Sequence, residues 1–278
     1  MPDPSTQATP YSQAPTNTNV LRARLTLVLM VIAAAMALSV APPGVLAKQK
    51  VDLELILMVD GSGSIDDDEF ILQRLGYAKA FRNPRVVAAI LNGPRRKISV
   101  SYVEWTGPFL QVPIIDWAVL DDKASIDAFA TQLEIGPREL FSGGTAVGNA
   151  ILYGAQSIKS NKFLGQRRVI DISGDGPTNR GFPAAIARDQ VVAQGYTING
   201  LPILNNYPGL DVFFLDNVIG GPGAFSIAAR TFKDFNSAIL TKLIREIASY
   251  ARPQSTVTAA RKSNKIVQSA ISRCAVHQ

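Results

Sequence analysis

Between residues 48 and 250 the hydrophobic pattern switches repeatedly between short apolar runs and longer stretches of helical period. Residues 51–59, VDLELILMV, read as a buried strand. An acidic start at Asp67 opens a helical pattern that continues to about residue 91. Residues 97–105 and 109–117 read as strands joined by Thr106-Gly107-Pro108, which predicts an antiparallel hairpin. Helices are predicted over 123–133, over 145–160 and over 183–194, the last with proline in its first turn. Strands are predicted over 168–173, 196–204 and 224–229, and an amphipathic helix over 235–250 closes the series. Strands alternating with helices imply an α/β fold, a doubly wound and mainly parallel sheet with one antiparallel edge strand and helices on both faces. Ligands of such sheets bind outside the carboxyl ends of strands, where the strand order reverses.

The flanks differ from this body. Residues 1–20 are polar and almost free of large apolar side chains, a composition that predicts disorder. Over 21–47, Arg22 and Arg24 precede an uncharged apolar run, 25–41, then Pro42-Pro43-Gly44 and the small-x-small pattern of Val45-Leu46-Ala47. That order is the layout of a secretory signal. The run is 17 residues long, the short limit for spanning a ~30 Å hydrocarbon core. An uncleaved anchor in the inner membrane therefore stands beside a cleaved signal, with a buried soluble helix as a third reading. Either of the first two places the body outside the cytoplasm, periplasmic or secreted.

Charge adds little to the body. The chain has a net charge of +6, of which residues 1–47 carry +1 and residues 251–278 carry +5, so 48–250 is neutral. The basic character belongs to a tail, which could touch an anionic membrane surface or remain a solvated terminus. No basic stripe with aromatics runs through the body, which argues against nucleic acid as a partner. The only cysteine is Cys274 and the only histidine His277, so the body holds no disulfide, no Ser-His-Asp or Cys-His pair and no His-metal site.

Candidate chemistry lies at strand ends. Asp60-Gly61-Ser62-Gly63-Ser64 follows the first strand, Ser142-Gly143-Gly144-Thr145 opens a helix, and Asp175-Gly176 follows the strand over 168–173. These three segments converge on one sheet edge and offer only oxygen. Such a donor set suits a hard divalent cation, Mg²⁺ first, with Mn²⁺ or Ca²⁺ as alternatives. Each segment also has a plainer reading: turns for Asp60 and Asp175, and a helix N-cap for Thr145.

The motif Asp-x-Ser-x-Ser, a Thr in a Gly-rich loop and an Asp-Gly after a later strand, in this order, resemble the metal-ion-dependent adhesion site (MIDAS) of von Willebrand factor A (VWA) domains. The resemblance covers about residues 51–250, including the hairpin after the first helix, and extends to an uncharacterised family of exported bacterial VWA proteins. It implies that Ser62 and Ser64 bind the ion directly, Thr145 directly or through water, and Asp60 and Asp175 through bound water while they orient the serines. It also implies a protein partner whose Asp or Glu carboxylate completes the shell. In integrin-type domains a second cation site falls at the positions of Asp67 and Asp68. The competing reading there is a capping box, Asp66 with Glu69, in an acid-rich first helical turn.

Enzyme readings fit poorly. Gly61-x-Gly63 lacks the third glycine of a dinucleotide loop, since Asp66 stands there, and the acids that follow would repel a pyrophosphate. A metal-assisted hydrolase needs a base near an activated water. Asp171 alternates away from the site, and neither His nor Lys adjoins the motifs. The expectation is a binding module rather than an enzyme, with a structural scaffold as the alternative.

Overall fold

A computed structural model of the chain describes residues 47–249. The expectations for 1–20, for most of 21–47 and for 251–278 lie outside the described residues. Five strands form one sheet: β1 (Gln49–Asp60), β2 (Ile98–Trp105), β3 (Gln111–Leu120), β4 (Phe163–Gly174) and β5 (Thr197–Pro202), in the order β3-β2-β1-β4-β5. β1 runs parallel to β2 and β4, and β4 parallel to β5, while β3 is the antiparallel edge strand. Pro113 sits within β3, where an edge strand tolerates a missing ladder donor. The expected fold class is the one observed.

The helices are α1 (Asp67–Arg82), α2 (Pro84–Leu91), α3 (Lys123–Ile135), α4 (Val147–Ser160), α5 (Ala184–Ala193), the short α6 (Leu210–Phe213) and α7 (Phe235–Ala248). Each face of the sheet has its own core. Leu55, Leu57 and Val59 of β1 pack with Tyr77 and Phe81 of α1 and with Phe235 and Leu243 of α7. Ile56 and Met58 turn the other way, onto Val147 and Ile151 of α4 and Ala187 and Val191 of α5. Burial on both faces explains why β1 reads as a continuous apolar run, and each large side chain so buried contributes about 1.5–3 kcal/mol.

Several boundaries differ from the sequence reading. The long first helix is two, because Pro84 forces Asn83 into extended backbone (φ −65°, ψ 130°), and the Asn83 side chain then caps α2 by accepting from Arg85 N at 2.9 Å. The hairpin strand begins at Gln111, since Thr106 N donates to Leu110 O at 3.0 Å and closes a longer turn. β4 starts five residues early because its first half pairs with Gln49–Leu53 of β1. Residues 224–229 are not a strand. The chain there makes isolated bridges to β5, Gly200↔Ser226 and Ile203↔Ala229, after a turn in which Gly221 and Gly223 adopt positive φ.

Candidate metal centre

The carboxyl ends of β1 and β4 lie side by side, with Val59 paired to Ser173. Asp60, the last residue of β1, is fully buried. Its Oδ1 accepts from Ser62 N at 2.8 Å, which folds the Gly-Ser turn back over the strand end. Ser62 Oγ lies 3.1 Å from Ser64 Oγ, and Ser64 Oγ donates to Asp175 Oδ1 at 2.8 Å. A link between residues 111 positions apart thus joins the first and third sequence segments. Asp175 Oδ2 accepts from Asn206 Nδ2 at 3.3 Å.

The second segment is held from two sides. Thr145 N donates to Asn179 Oδ1 at 2.8 Å, and Asn179 N donates to Thr145 O at 3.0 Å. Helix α4 begins two residues later, at Val147, so Thr145 is not its N-cap. Thr106 Oγ1, at the end of β2, reaches the carbonyl oxygens of Ser142 (3.2 Å) and Gly144 (2.9 Å). Glycine is required at the end of β4, where Gly174 backs onto Asp60, whereas Gly63 lies at ordinary contact distance from Ser142. A Cβ on Gly174 would lie 2.9 Å from Asp60 Oδ2, and one on Gly63 3.6 Å from Ser142 Cα. Thr145 Oγ1 is 3.6 Å from the Cβ position of Gly176, beside Asp175.

The electrostatics of this cluster favour a cation. Burial pushes the Asp60 carboxyl up to about 7, and the charge of Asp175 adds to the rise, against the hydrogen bonds from Ser62. Asp60 Oδ2 is buried and has no hydrogen-bond partner. Two near carboxylates, one with an unmatched oxygen, surrounded by hydroxyls, form a set that a hard divalent cation satisfies and a soft one does not. The residues present fit the ion that the sequence pattern implies.

Around Asp67 and Asp68 the arrangement differs. The Asp66–Glu69 capping box is formed, with Glu69 N donating to Asp66 Oδ1 at 2.8 Å and Asp66 N to Glu69 Oε2 at 3.2 Å. Asp67 Oδ1 accepts from Arg138 Nη1 at 2.7 Å. A second cation at Asp67 would have to displace that guanidinium. Arg138 also donates to Ile65 O (2.8 Å) and Leu140 O (2.7 Å) and lies over the rings of Phe70 and Phe141. Asp171 lies below the strand end and points into the core beneath α7, where it meets Lys242.

Thr106, Asn179 and Asn206 hold the three segments from outside the sequence motifs, and Arg138 ties Ile65 to Leu140 beside them. Of these, only Asn179 and Asn206 carry a signal in the sequence, as turn-prone residues in Pro/Gly-punctuated loops. Asn179→Ala leaves Thr145 N without its acceptor. Urea unfolding of this variant is expected to show a loss of about 1–3 kcal/mol, and its affinity for a divalent cation should fall with it.

A family model described as a protein of unknown function (DUF1194) matches residues 50–251. No curated protein matches the chain. Among solved structures, it is similar to proximal thread matrix protein 1 (PTMP1) from the mussel byssus, with a TM-score of 0.56 at 11% identity, over 72% of this chain and 49% of that one. It is also similar to the pilus adhesin SpaC from Lactobacillus rhamnosus GG, with a TM-score of 0.53 at 13% identity, over 72% and 31% of the two chains. A third is the vWF domain of the type V pili tip protein Mfa5 from Porphyromonas gingivalis, with a TM-score of 0.50 at 11% identity, over 74% and 98%. The chain thus spans half or less of PTMP1 and SpaC and nearly all of the Mfa5 domain. PTMP1 is also known with a zinc-occupied MIDAS motif. At these identities the likeness is one of fold, the VWA fold.

Proposed function

The chain belongs to the DUF1194 family and has the VWA fold, and from that premise we propose that it binds a partner protein through a divalent cation at the carboxyl edge of its sheet. Ser62, Ser64 and Thr145 would hold the ion with their hydroxyls, and Asp60 and Asp175 would hold it with their carboxylates through bound water. Mg²⁺ leads, because hydroxyl and carboxylate oxygens suit it and the cluster contains neither thiolate nor imidazole. Bound there, the ion supplies a Lewis-acidic position that an Asp or Glu of the partner fills with a charge-assisted bond. The observation that carries this reading is the fully buried carboxylate of Asp60, with one oxygen unpartnered beside Asp175 and the serine hydroxyls.

The reading is a binding module, not an enzyme, working outside the cytoplasm after export through residues 21–47. Among the described residues no helix is long and apolar enough to cross a membrane. A second reading, in which the ion only ties the three loops together, is favoured by the links already present between them, from Ser64 to Asp175 and from Thr145 to Asn179.

Capture from an envelope extract separates the two. The partner-binding reading expects a captured protein that EDTA releases and that Ser62→Ala and Thr145→Ala fail to retain, while circular dichroism shows both variants folded. Capture that survives EDTA and both substitutions contradicts it. Variants that unfold when cation is withdrawn favour the loop-tying reading.

A further inference from the structure

Three large aromatic side chains stand exposed on three separate loops of the edge that carries the candidate site: Phe109 at 92% exposure, Phe141 at 62% and Tyr207 at 46%. Each is tied by its own chain to a group of the site. Phe141 immediately precedes Ser142, whose Cα backs onto Gly63, and its ring lies under the Arg138 guanidinium. Phe109 occupies the β2–β3 turn, which is closed by the Thr106 N to Leu110 O bond, while Thr106 Oγ1 holds the Ser142–Gly144 loop. Pro108, next to Phe109, lies close enough to Gly181 that a Cβ there would stand 3.1 Å from its Cγ and 3.2 Å from Ala146 Cβ. Tyr207 follows Asn206, which donates to Asp175. Leu110 adds a half-exposed apolar side chain to the same turn.

Exposed aromatics cost solvation, and several converging on one edge, rimmed by polar groups, are the mark of a recognition surface. Aromatic side chains supply large contact area at low conformational cost and dominate binding energetics. The remaining flank of the site, at the start of α1, carries Asp66, Asp67 and Asp68, with Asp67 paired to Arg138, and is polar where the other three loops present rings. We infer that the partner segment is an acidic residue flanked by large apolar side chains, its carboxylate on the cation and its apolar neighbours against Phe109, Phe141 and Tyr207. This inference rests on the cation-dependent binding proposed above and adds the chemistry of what is bound.

The test is selection of a random peptide library, displayed on phage, by the immobilised full-length chain in Mg²⁺, with elution by EDTA. The expected result is enrichment of peptides carrying Asp or Glu with Phe, Leu, Ile, Trp or Met within a few positions. For a synthetic peptide of that consensus, the Phe109→Ala/Phe141→Ala double variant should weaken binding at least about tenfold. Both rings are exposed, so the double variant should keep the Mg²⁺ affinity and thermal midpoint of the wild type. Enriched acidic peptides without apolar neighbours, or a double variant that binds the consensus peptide normally, would overturn the inference and leave the cation reading standing. An absence of EDTA-sensitive enrichment would overturn both.

Discussion

Replacing Lys242 with methionine is expected to destabilise the fold by about 3–5 kcal/mol at pH 8, although Lys242 lies far from the sequence motifs. The ammonium of Lys242, fully buried on α7, pairs with Asp171 of β4 and with Glu246 Oε1, the latter at 2.6 Å. Glu246 Oε1 also accepts from Asn199 Nδ2 at 3.0 Å, and Asn199 Oδ1 accepts from Phe225 N at 3.0 Å. The network therefore joins α7, β4, β5 and the segment that lies along the sheet edge. Without the ammonium, two carboxylates face each other in an apolar core beside Tyr77.

The cost depends on pH in a definite direction. Burial and then the charge of Glu246 push the Asp171 carboxyl from 3.8 up to about 7, against the pull of Lys242. The folded chain thus holds a proton that the unfolded chain releases in this window. The stability contributed by that proton is fully present below about pH 4 and is lost as pH rises through about 7. Urea unfolding between pH 5 and 8 should show wild-type stability falling with pH from this group. Asp171→Asn should reduce that slope, leaving the part that the Asp60 carboxyl, also raised to about 7, contributes, and the Lys242→Met penalty should be smaller at pH 5 than at pH 8.

The second large effect is a reversal of sign at Asp60. Without a cation, Asp60 is a buried carboxylate beside Asp175 with one oxygen unmatched. Asp60→Asn keeps an oxygen for Ser62 N, removes one of two like charges, and should raise the stability of the cation-free chain at pH 8 by about 1–3 kcal/mol. With the ion present, the order inverts. At a concentration one hundred times the dissociation constant, a bound cation adds about 2.7 kcal/mol to the wild type, and the variant should gain little of it. Chemical denaturation in EDTA and in excess Mg²⁺ measures both halves. An Asp60→Asn chain that is less stable in EDTA and equally stabilised by Mg²⁺ would contradict the assignment.

What could be read from the chain follows from the range of the forces involved. β1, the mainly parallel sheet with its antiparallel edge strand, and the placing of Asp60, Ser62 and Ser64 at a strand end depend on local patterning and on the rule that sites of parallel sheets lie at strand ends. The break at Asn83-Pro84 has a local cause as well, the restriction that proline places on the preceding residue. Residues 224–229 have the composition of a strand, but the turn at Gly221 and Gly223 brings them to β5 at an angle that permits only single bridges. Arg138 could not be foreseen, because its guanidinium reaches Asp67 across 71 positions. Lys242 was equally hidden, since a lysine in an amphipathic helix pattern reads as solvent-facing until the acid on β4 is seen beneath it.

Isothermal titration of the metal-stripped full-length chain with Mg²⁺ and with Mn²⁺ asks whether Asp60, Ser62, Ser64, Thr145 and Asp175 together hold one hard divalent cation. The expected result is a single saturable site that the Ser62→Ala/Ser64→Ala double variant loses while it remains folded. Heat of binding absent up to about millimolar ion, or an undiminished site in that variant, would contradict it.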